Sequence, residues 1–158
     1  MKLSYIKGLT FGLTSGIITT LGLMVGLNSS TGSTLAVIGG ILIIAISDAL
    51  SDAFGMHISE ESEAKHTPKE IWESTLATFL SKFIFACTFI VPVLMFPLNT
   101  AMLVSIAWGM LLITVLSYIV GKDEKQNTFL VVGEHLGITI FVVLVANYTG
   151  LMIASVFA

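Results

Sequence analysis

Five long apolar runs, separated by short polar stretches, dominate the sequence. A helix that crosses a bilayer needs about 20 predominantly apolar residues, and each run is long enough to provide them. The pattern therefore predicts five transmembrane helices, over residues 8–27, 34–57, 75–97, 100–120 and 128–156. The predicted fold class is an all-α polytopic membrane protein, with a single transmembrane domain over residues 1–158.

Composition excludes several functional classes. The chain is 55% hydrophobic and only 11% charged, which excludes a soluble protein, since soluble domains carry about a quarter charged residues. The net charge of −3 and the lack of a basic cluster give no nucleic-acid footprint. Cys87 is the only cysteine, which excludes an intrachain disulfide and a cysteine-rich metal site. No Ser/His/Asp nucleophile set and no HExxH motif is present, so no enzyme is predicted.

The lysines predict the orientation of the bundle. The chain has seven lysines and no arginine. Six of the lysines flank the N-terminus, the second loop and the fourth loop, at Lys2, Lys7, Lys65, Lys69, Lys122 and Lys125. By the positive-inside rule, the N-terminus lies in the cytosol and the C-terminus on the other side.

The first helix carries glycines at packing spacings, at Gly8, Gly12, Gly16, Gly22 and Gly26. Small residues four apart allow two helix backbones to approach closely in lipid. This face packs either within the chain or against a second copy, which would make a homodimer. Threonine hydroxyls on the same helix are expected to bond back to carbonyls one turn earlier.

Two prolines predict local helix geometry. Pro92 lies inside the third apolar run, where its missing backbone donor predicts a kink. Pro68 suits the start of a helix, which would place Glu70 and Glu73 near its N-terminus, where the dipole favours negative charge.

Two aspartates lie deep in the second apolar run. Asp48 and Asp52 each cost about 2.5–3.5 kcal/mol at the centre of a membrane helix, which makes them functional candidates. Together with Met56 and Glu60 they recur every four residues, so they follow one side of a helix; we call this set the acidic column. Carboxylates with a thioether favour Fe²⁺ or Mn²⁺ over Ca²⁺, and the adjacent His57 is a further candidate ligand.

Each of these assignments has a structural alternative. Asp48 or Asp52 would form an ion pair with Lys82, which lies in the third apolar run. Met56 would be a packing residue, and His57 would be a polar residue at the membrane border.

Two further groups of polar residues extend the hypothesis. Glu60, Glu61 and Glu63 either collect cations at the cytoplasmic mouth or form a solvated helix end. Glu134 and His135, in the fifth helix, either hold and pass protons or make a polar contact between helices.

Two segments, Phe11 to Leu27 and Ala45 to Glu63, resemble the vacuolar iron transporter family of five-helix metal transporters. Thr75 to Leu80 is a weaker match. The resemblance implies export of cytosolic Fe²⁺ or Mn²⁺ in exchange for protons, by a homodimer whose ion path is formed chiefly by the first two helices. It also implies that Ser15 stands where the family has an aspartate, and Asp52 where it has a methionine. The long Glu-rich cytoplasmic helices of the family are missing, or reduced to Glu60–Glu73.

The sequence therefore predicts a divalent-metal transporter with no tightly bound cofactor. The core site would comprise Asp48, Asp52 and Met56, with Ser15 facing it. The host membrane would be the cell membrane in a prokaryote or a vacuole-type membrane in a eukaryote. The alternative is a non-transporting assembly or regulatory subunit, whose intramembrane acids are structural ion pairs and whose glycine face binds the partner.

Overall fold

The computed structural model describes residues 2–123 and 127–157, and all regular structure in these ranges is helical. In chain order the helices are α1 (Lys2–Thr31), α2 (Thr34–Ile43), a π-helical turn (Ile44–Asp48), α3 (Ala49–Ser62), α4 (Pro68–Thr88), α5 (Ile90–Met95), α6 (Leu98–Asp123) and α7 (Thr128–Phe157). They form five helices long and apolar enough to cross a membrane, namely Leu3–Thr31, Thr34–Ser62, Pro68–Met95, Leu98–Lys122 and Thr128–Phe157. The predicted five-helix membrane fold is confirmed. Lys125, in the predicted fourth loop, lies outside the described residues.

The first helix is longer at both ends than its apolar run. It begins at Lys2 and continues to Thr31, so most of the stretch expected as the first loop is helical. The helix ends where Gly32 adopts a positive φ of 57° and donates its N–H to the carbonyl of Asn28 at 2.9 Å. Glycine is the residue that takes this left-handed conformation without steric cost. Ser33 then caps α2 by accepting a hydrogen bond from the backbone N–H of Ala36.

The second loop is shorter than the charge pattern predicts. Helix α3 continues to Ser62, and α4 already begins at Pro68. A capping box fixes that start, because Thr67 accepts from the backbone of Glu70 while the Glu70 carboxylate accepts from the backbone of Thr67. The expected placement of Glu70 in the first turn after Pro68 is confirmed. Polar residues at the helix ends thus extend the helices beyond the apolar runs.

The third membrane helix is interrupted before Pro92. Helix α4 ends at Thr88, and α5 begins at Ile90. Proline has no N–H to donate to the carbonyl four residues earlier, which here belongs to Thr88. The interruption predicted from Pro92 is therefore present.

The glycine face of α1 packs against two helices of the same chain. A Cβ atom on Gly16 would lie 3.1 Å from the Cα of Lys82 in α4, and one on Gly26 would lie 3.4 Å from the carbonyl oxygen of Ala146 in α7. Gly8 and Gly12 also face α4, and Gly22 faces α7. The surface assigned to a homodimer is thus covered within the chain, and a dimer would have to use a different surface.

The bundle has an apolar half and a polar half. Its apolar core comprises Ile17, Leu21, Met24, Val37, Ile41, Phe89, Val93, Ala101, Met102 and Ile113. The polar half is formed by the N-terminal half of α1 with α3 and α4, where Ser74, Thr78, Ser81 and Lys82 are buried. Threonines of α1 bond back along the helix as expected, for example Thr14 to the carbonyl of Thr10 at 2.9 Å.

Candidate metal centre

Asp48 and Asp52 meet the side chain of Lys82 in the polar half of the bundle. The Lys82 Nζ is 2.5 Å from Oδ2 of Asp48 and 2.5 Å from Oδ2 of Asp52. Ser15 completes the group, since its hydroxyl donates to Asp52 at 2.6 Å and accepts from Lys82 at 2.9 Å. The structure therefore brings Ser15 and both aspartates together, as predicted, and adds the lysine that was their alternative partner.

Lys82 is the most deeply buried of these charges. The residue is fully buried, whereas the side chains of Asp48 and Asp52 remain 37% and 22% exposed. A buried ammonium needs paired carboxylates, because an isolated charge is very costly away from water. Two carboxylates and one ammonium leave a formal charge of −1. Lys82 therefore neutralises the two carboxylates only in part.

A π-helical turn lies directly before α3. It covers Ile44–Asp48, so Asp48 is its last residue and lies near the middle of the helix Thr34–Ser62. The extra residue of a π turn rotates the helix before it relative to the helix after it, by about 100°. Asp48 is the last residue of this turn and Asp52, Met56 and Glu60 follow it in α3, so their four-residue spacing is preserved. Such turns are frequent at functional sites.

An open cavity adjoins one side of this group. It has a volume of about 490 Å³ and is lined by Phe11, Ser51, Asp52, Gly55, Met56 and Ser59. Asp52 therefore faces both the buried Lys82 and this cavity. Met56 is itself buried and is one of the residues that line this cavity together with Asp52. The side chains of the lining residues include one carboxylate, one thioether and two hydroxyls.

A second charged cluster lies at the far end of the acidic column, about 18 Å from Asp48 at 1.5 Å per residue. Ligand atoms of Glu60, Glu63 and His66 lie within 4.8 Å of one another, as a metal site of two carboxylates and an imidazole requires. Lys7 Nζ lies 2.7 Å from a carboxylate oxygen of each glutamate. Glu60 is fully buried, although it carries a carboxylate.

The ion pair with Lys7 changes the acidity of Glu63. The hydrogen bond from Lys7, followed by one from His66, holds the pKa of the Glu63 carboxyl below its usual range. Glu63 is therefore present as a carboxylate at neutral pH, paired with Lys7. His66 is fixed from its other side, where Nδ1 lies 3.1 Å from the hydroxyl of Ser4.

Two predicted ligands lie elsewhere. His57 faces α4, where its Nδ1 is 3.0 Å from Oγ1 of Thr75 and its ring packs edge-on against Trp72. These are the contacts of a polar residue between two helices, which differ from both the ligand and the membrane-border residue considered for His57. Glu61 is exposed and is not a member of the cluster that contains Glu60 and Glu63.

Glu134 and His135, the predicted proton pair, lie in different surroundings. Glu134 is exposed on α7. His135 lies 2.8 Å from the hydroxyl of Ser117, through its Nδ1. His135 also lines a second cavity, of about 600 Å³, together with Lys7 and Thr14 of α1. His135 therefore shares a cavity with Lys7 at the charged end of α1, whereas Glu134 is not among the residues that line this cavity.

Sequence reasoning missed Lys7 and His66 as members of a site. Lys7 was used only to predict the orientation, and His66 was assigned no role. Glu63 and His66 lie beyond the end of α3 at Ser62, so no helical spacing in the sequence signalled their proximity. The approach of Lys7 depends on the packing of α1 against α3 and α4, which no local pattern reports.

Comparisons of the chain with protein-family models, with curated proteins and with solved structures gave no match. The resemblance to vacuolar iron transporters therefore stays a prediction.

Proposed function

We propose that this protein is a membrane transporter that moves a divalent transition metal ion, Fe²⁺ or Mn²⁺, out of the cytosol in exchange for protons. One observation carries the proposal. Asp52, deep in a helix long enough to cross a membrane, lines an open cavity together with the Met56 thioether and two serine hydroxyls. An acid with a purely structural role would not require an open cavity beside its side chain. Carboxylate and thioether together favour a borderline divalent ion.

The two charged clusters suggest a route. Glu60, Glu63 and His66 would receive the ion at the cytoplasmic end, under the predicted orientation. Asp52 and Asp48 would hold it near the middle of the membrane. Beyond Asp48 the core of the described bundle is mainly apolar, so the structure would correspond to a state closed on the outer side. Release would need that apolar half to open.

Proton exchange would require a group that can accept and release protons. His135 is the best-placed group for it, because an imidazole nitrogen can accept or donate a proton and this residue lines a cavity together with Lys7. Glu134 is retained as a candidate because it is a carboxylate one residue away. The protein would act as an integral membrane protein, in the cell membrane of a prokaryote or a vacuole-type membrane of a eukaryote.

Metal uptake into proteoliposomes tests the proposal. Asp52→Asn keeps the size of the side chain and removes its charge, so we expect Fe²⁺ and Mn²⁺ flux to fall to the level of protein-free liposomes. Glu73→Gln is the matched control, because it removes an acid whose partner is the exposed Lys69, at 3.9 Å. Unchanged flux in the Asp52→Asn protein would refute the proposal.

A second candidate function rests on Lys82. Its contacts with Asp48 and Asp52 are those of a structural ion pair, as a non-transporting assembly or regulatory subunit would use. On that hypothesis neither Fe²⁺ nor Mn²⁺ would cross the liposome membrane, and Asp52→Asn would lower stability without any effect on flux. The cavity beside Asp52 favours transport.

A further inference from the structure

A cation already lies between Asp48 and Asp52, and the chain itself supplies it. The Lys82 ammonium is 2.5 Å from a carboxylate oxygen of each aspartate and 2.9 Å from the Ser15 hydroxyl. Those distances are typical of charge-assisted hydrogen bonds. The same oxygens are the ones that a metal ion would need as ligands.

The charges make the ammonium and a divalent ion mutually exclusive at these oxygens. Two carboxylates with Lys82 carry a formal charge of −1, and two carboxylates with a divalent ion carry zero. All four groups together would carry +1 in a partly buried site, with two cations in close contact. Repulsion between like charges is strong where water is excluded.

We propose that Lys82 is a tethered counter-cation, which competes with the transported metal ion for Asp48 and Asp52. The inference rests on the proposed function and assigns to Lys82 the control of metal affinity. In the empty protein the ammonium pairs with both acids and offsets half of their charge, so the site is not left as two unpaired carboxylates in the membrane. When the metal binds, the ammonium moves aside, and its return displaces the metal.

The packing around Lys82 confines the proposed movement to the outer part of the side chain. Gly16 lies against the Cα and Cγ atoms of Lys82, which fixes the base of the side chain. The methylene groups beyond Cγ carry the ammonium and would rotate in this movement. The inner cluster repeats the arrangement, since Lys7 lies between Glu60 and Glu63.

Mn²⁺ binding to the purified full chain in detergent tests the proposal, with free Mn²⁺ measured by electron paramagnetic resonance. We expect Lys82→Met to bind Mn²⁺ more tightly than the wild type, by a factor on the order of ten or more, because the competing cation is gone. Lys69→Met removes an exposed lysine of the same helix and should bind as the wild type does. Adding Asp52→Asn to Lys82→Met should abolish the gain.

Equal or weaker Mn²⁺ binding by Lys82→Met would overturn the proposal, since a purely structural lysine predicts no gain in affinity. If Lys82→Met does not fold, Asp48→Asn is compared with Asp48→Asn/Lys82→Met, which restores the formal charge of −1. Tighter binding by the double variant supports competition, and equal or weaker binding overturns it. If wild-type flux depends on Asp52 but Lys82→Met raises the Mn²⁺ affinity in neither comparison, this inference is refuted and the proposed function stands. Flux that does not depend on Asp52 would refute the proposed function as well.

Discussion

Replacing Gly12 by alanine tests whether the glycine face of α1 is an internal contact. The added Cβ would overlap the hydroxyl of Ser81 and the backbone of Thr78, including the Thr78 Cα at 3.0 Å. Because backbone atoms of α4 stand in the way, a side-chain rotation alone cannot relieve the overlap. Helices α1 and α4 would have to move apart.

The cost of this movement follows from the contacts it disturbs. Overpacking in a well-packed interior costs about 1–3 kcal/mol. Separation would also weaken the hydrogen bond from the Thr78 hydroxyl to the carbonyl of Gly8, now 3.1 Å long, which adds about 1 kcal/mol. Alanine has a higher helix propensity than glycine, which offsets up to about 1 kcal/mol of this cost. We therefore expect Gly12→Ala to lower the free energy of unfolding by about 1–3 kcal/mol.

Gly137→Ala provides the matched control. A Cβ at Gly137, on α7, would meet no heavy atom within 4 Å among the described residues. The same methyl group there should leave stability unchanged or raise it by up to about 1 kcal/mol. Unfolding of both variants is followed in detergent micelles with increasing SDS, by the fluorescence of Trp72 and Trp108.

Two results would refute the reasoning about Gly12. One is equal unfolding of Gly12→Ala and the wild type. The other is a loss of dimer in Gly12→Ala with the stability of the monomer intact, which would show that the glycine face contacts a second copy. Mn²⁺ affinity gives a further readout, since separation of α1 would also move Ser15 away from Asp52.

The remaining predictions concern the charged end of the bundle and its orientation. The pKa of Glu63 is lowered by Lys7 in the folded protein, so this contact stabilises the fold at neutral pH, and the stabilisation is lost as the pH falls through the lowered pKa. In Lys7→Met, NMR of the Glu63 carboxyl should show a higher pKa than in the wild type. An unchanged pKa would contradict the assignment of the shift to Lys7. The orientation is tested by Lys65→Cys and Asn99→Cys, each in a Cys87→Ser background. A membrane-impermeant thiol reagent should label Lys65→Cys only from the cytosolic side and Asn99→Cys only from the opposite side. The reverse pattern would contradict the orientation predicted from the lysines.

The membrane fold follows from the sequence because apolar length is a local property. A run of apolar residues specifies a spanning helix whatever it packs against, and all five runs form such helices. Helix ends were less predictable. The ends of α1 and α3 depend on contacts such as that of Lys7 with Glu60, which keep polar residues in helical conformation beyond the apolar run.

The site was only partly predictable for the same reason. Helical spacing relates Asp48 to Asp52 along one helix, and the resemblance pointed to Ser15 opposite them. Lys82 was identified as a partner, but its simultaneous contact with both aspartates depends on the packing of α4 between α1 and α3. The π-helical turn before Asp48 has no signal in its sequence, Ile-Ala-Ile-Ser-Asp, because the same residues suit an α-helix.

The position of a bound metal ion tests the central claim most directly. Anomalous diffraction from crystals of the protein grown with Mn²⁺ would locate the ion without any assumption about transport. The account predicts a peak within about 2.6 Å of carboxylate oxygens of Asp48 and Asp52, with the Lys82 ammonium moved away from them. A crystal with Mn²⁺ bound only on the protein surface, and with Lys82 still paired with both aspartates, would contradict it.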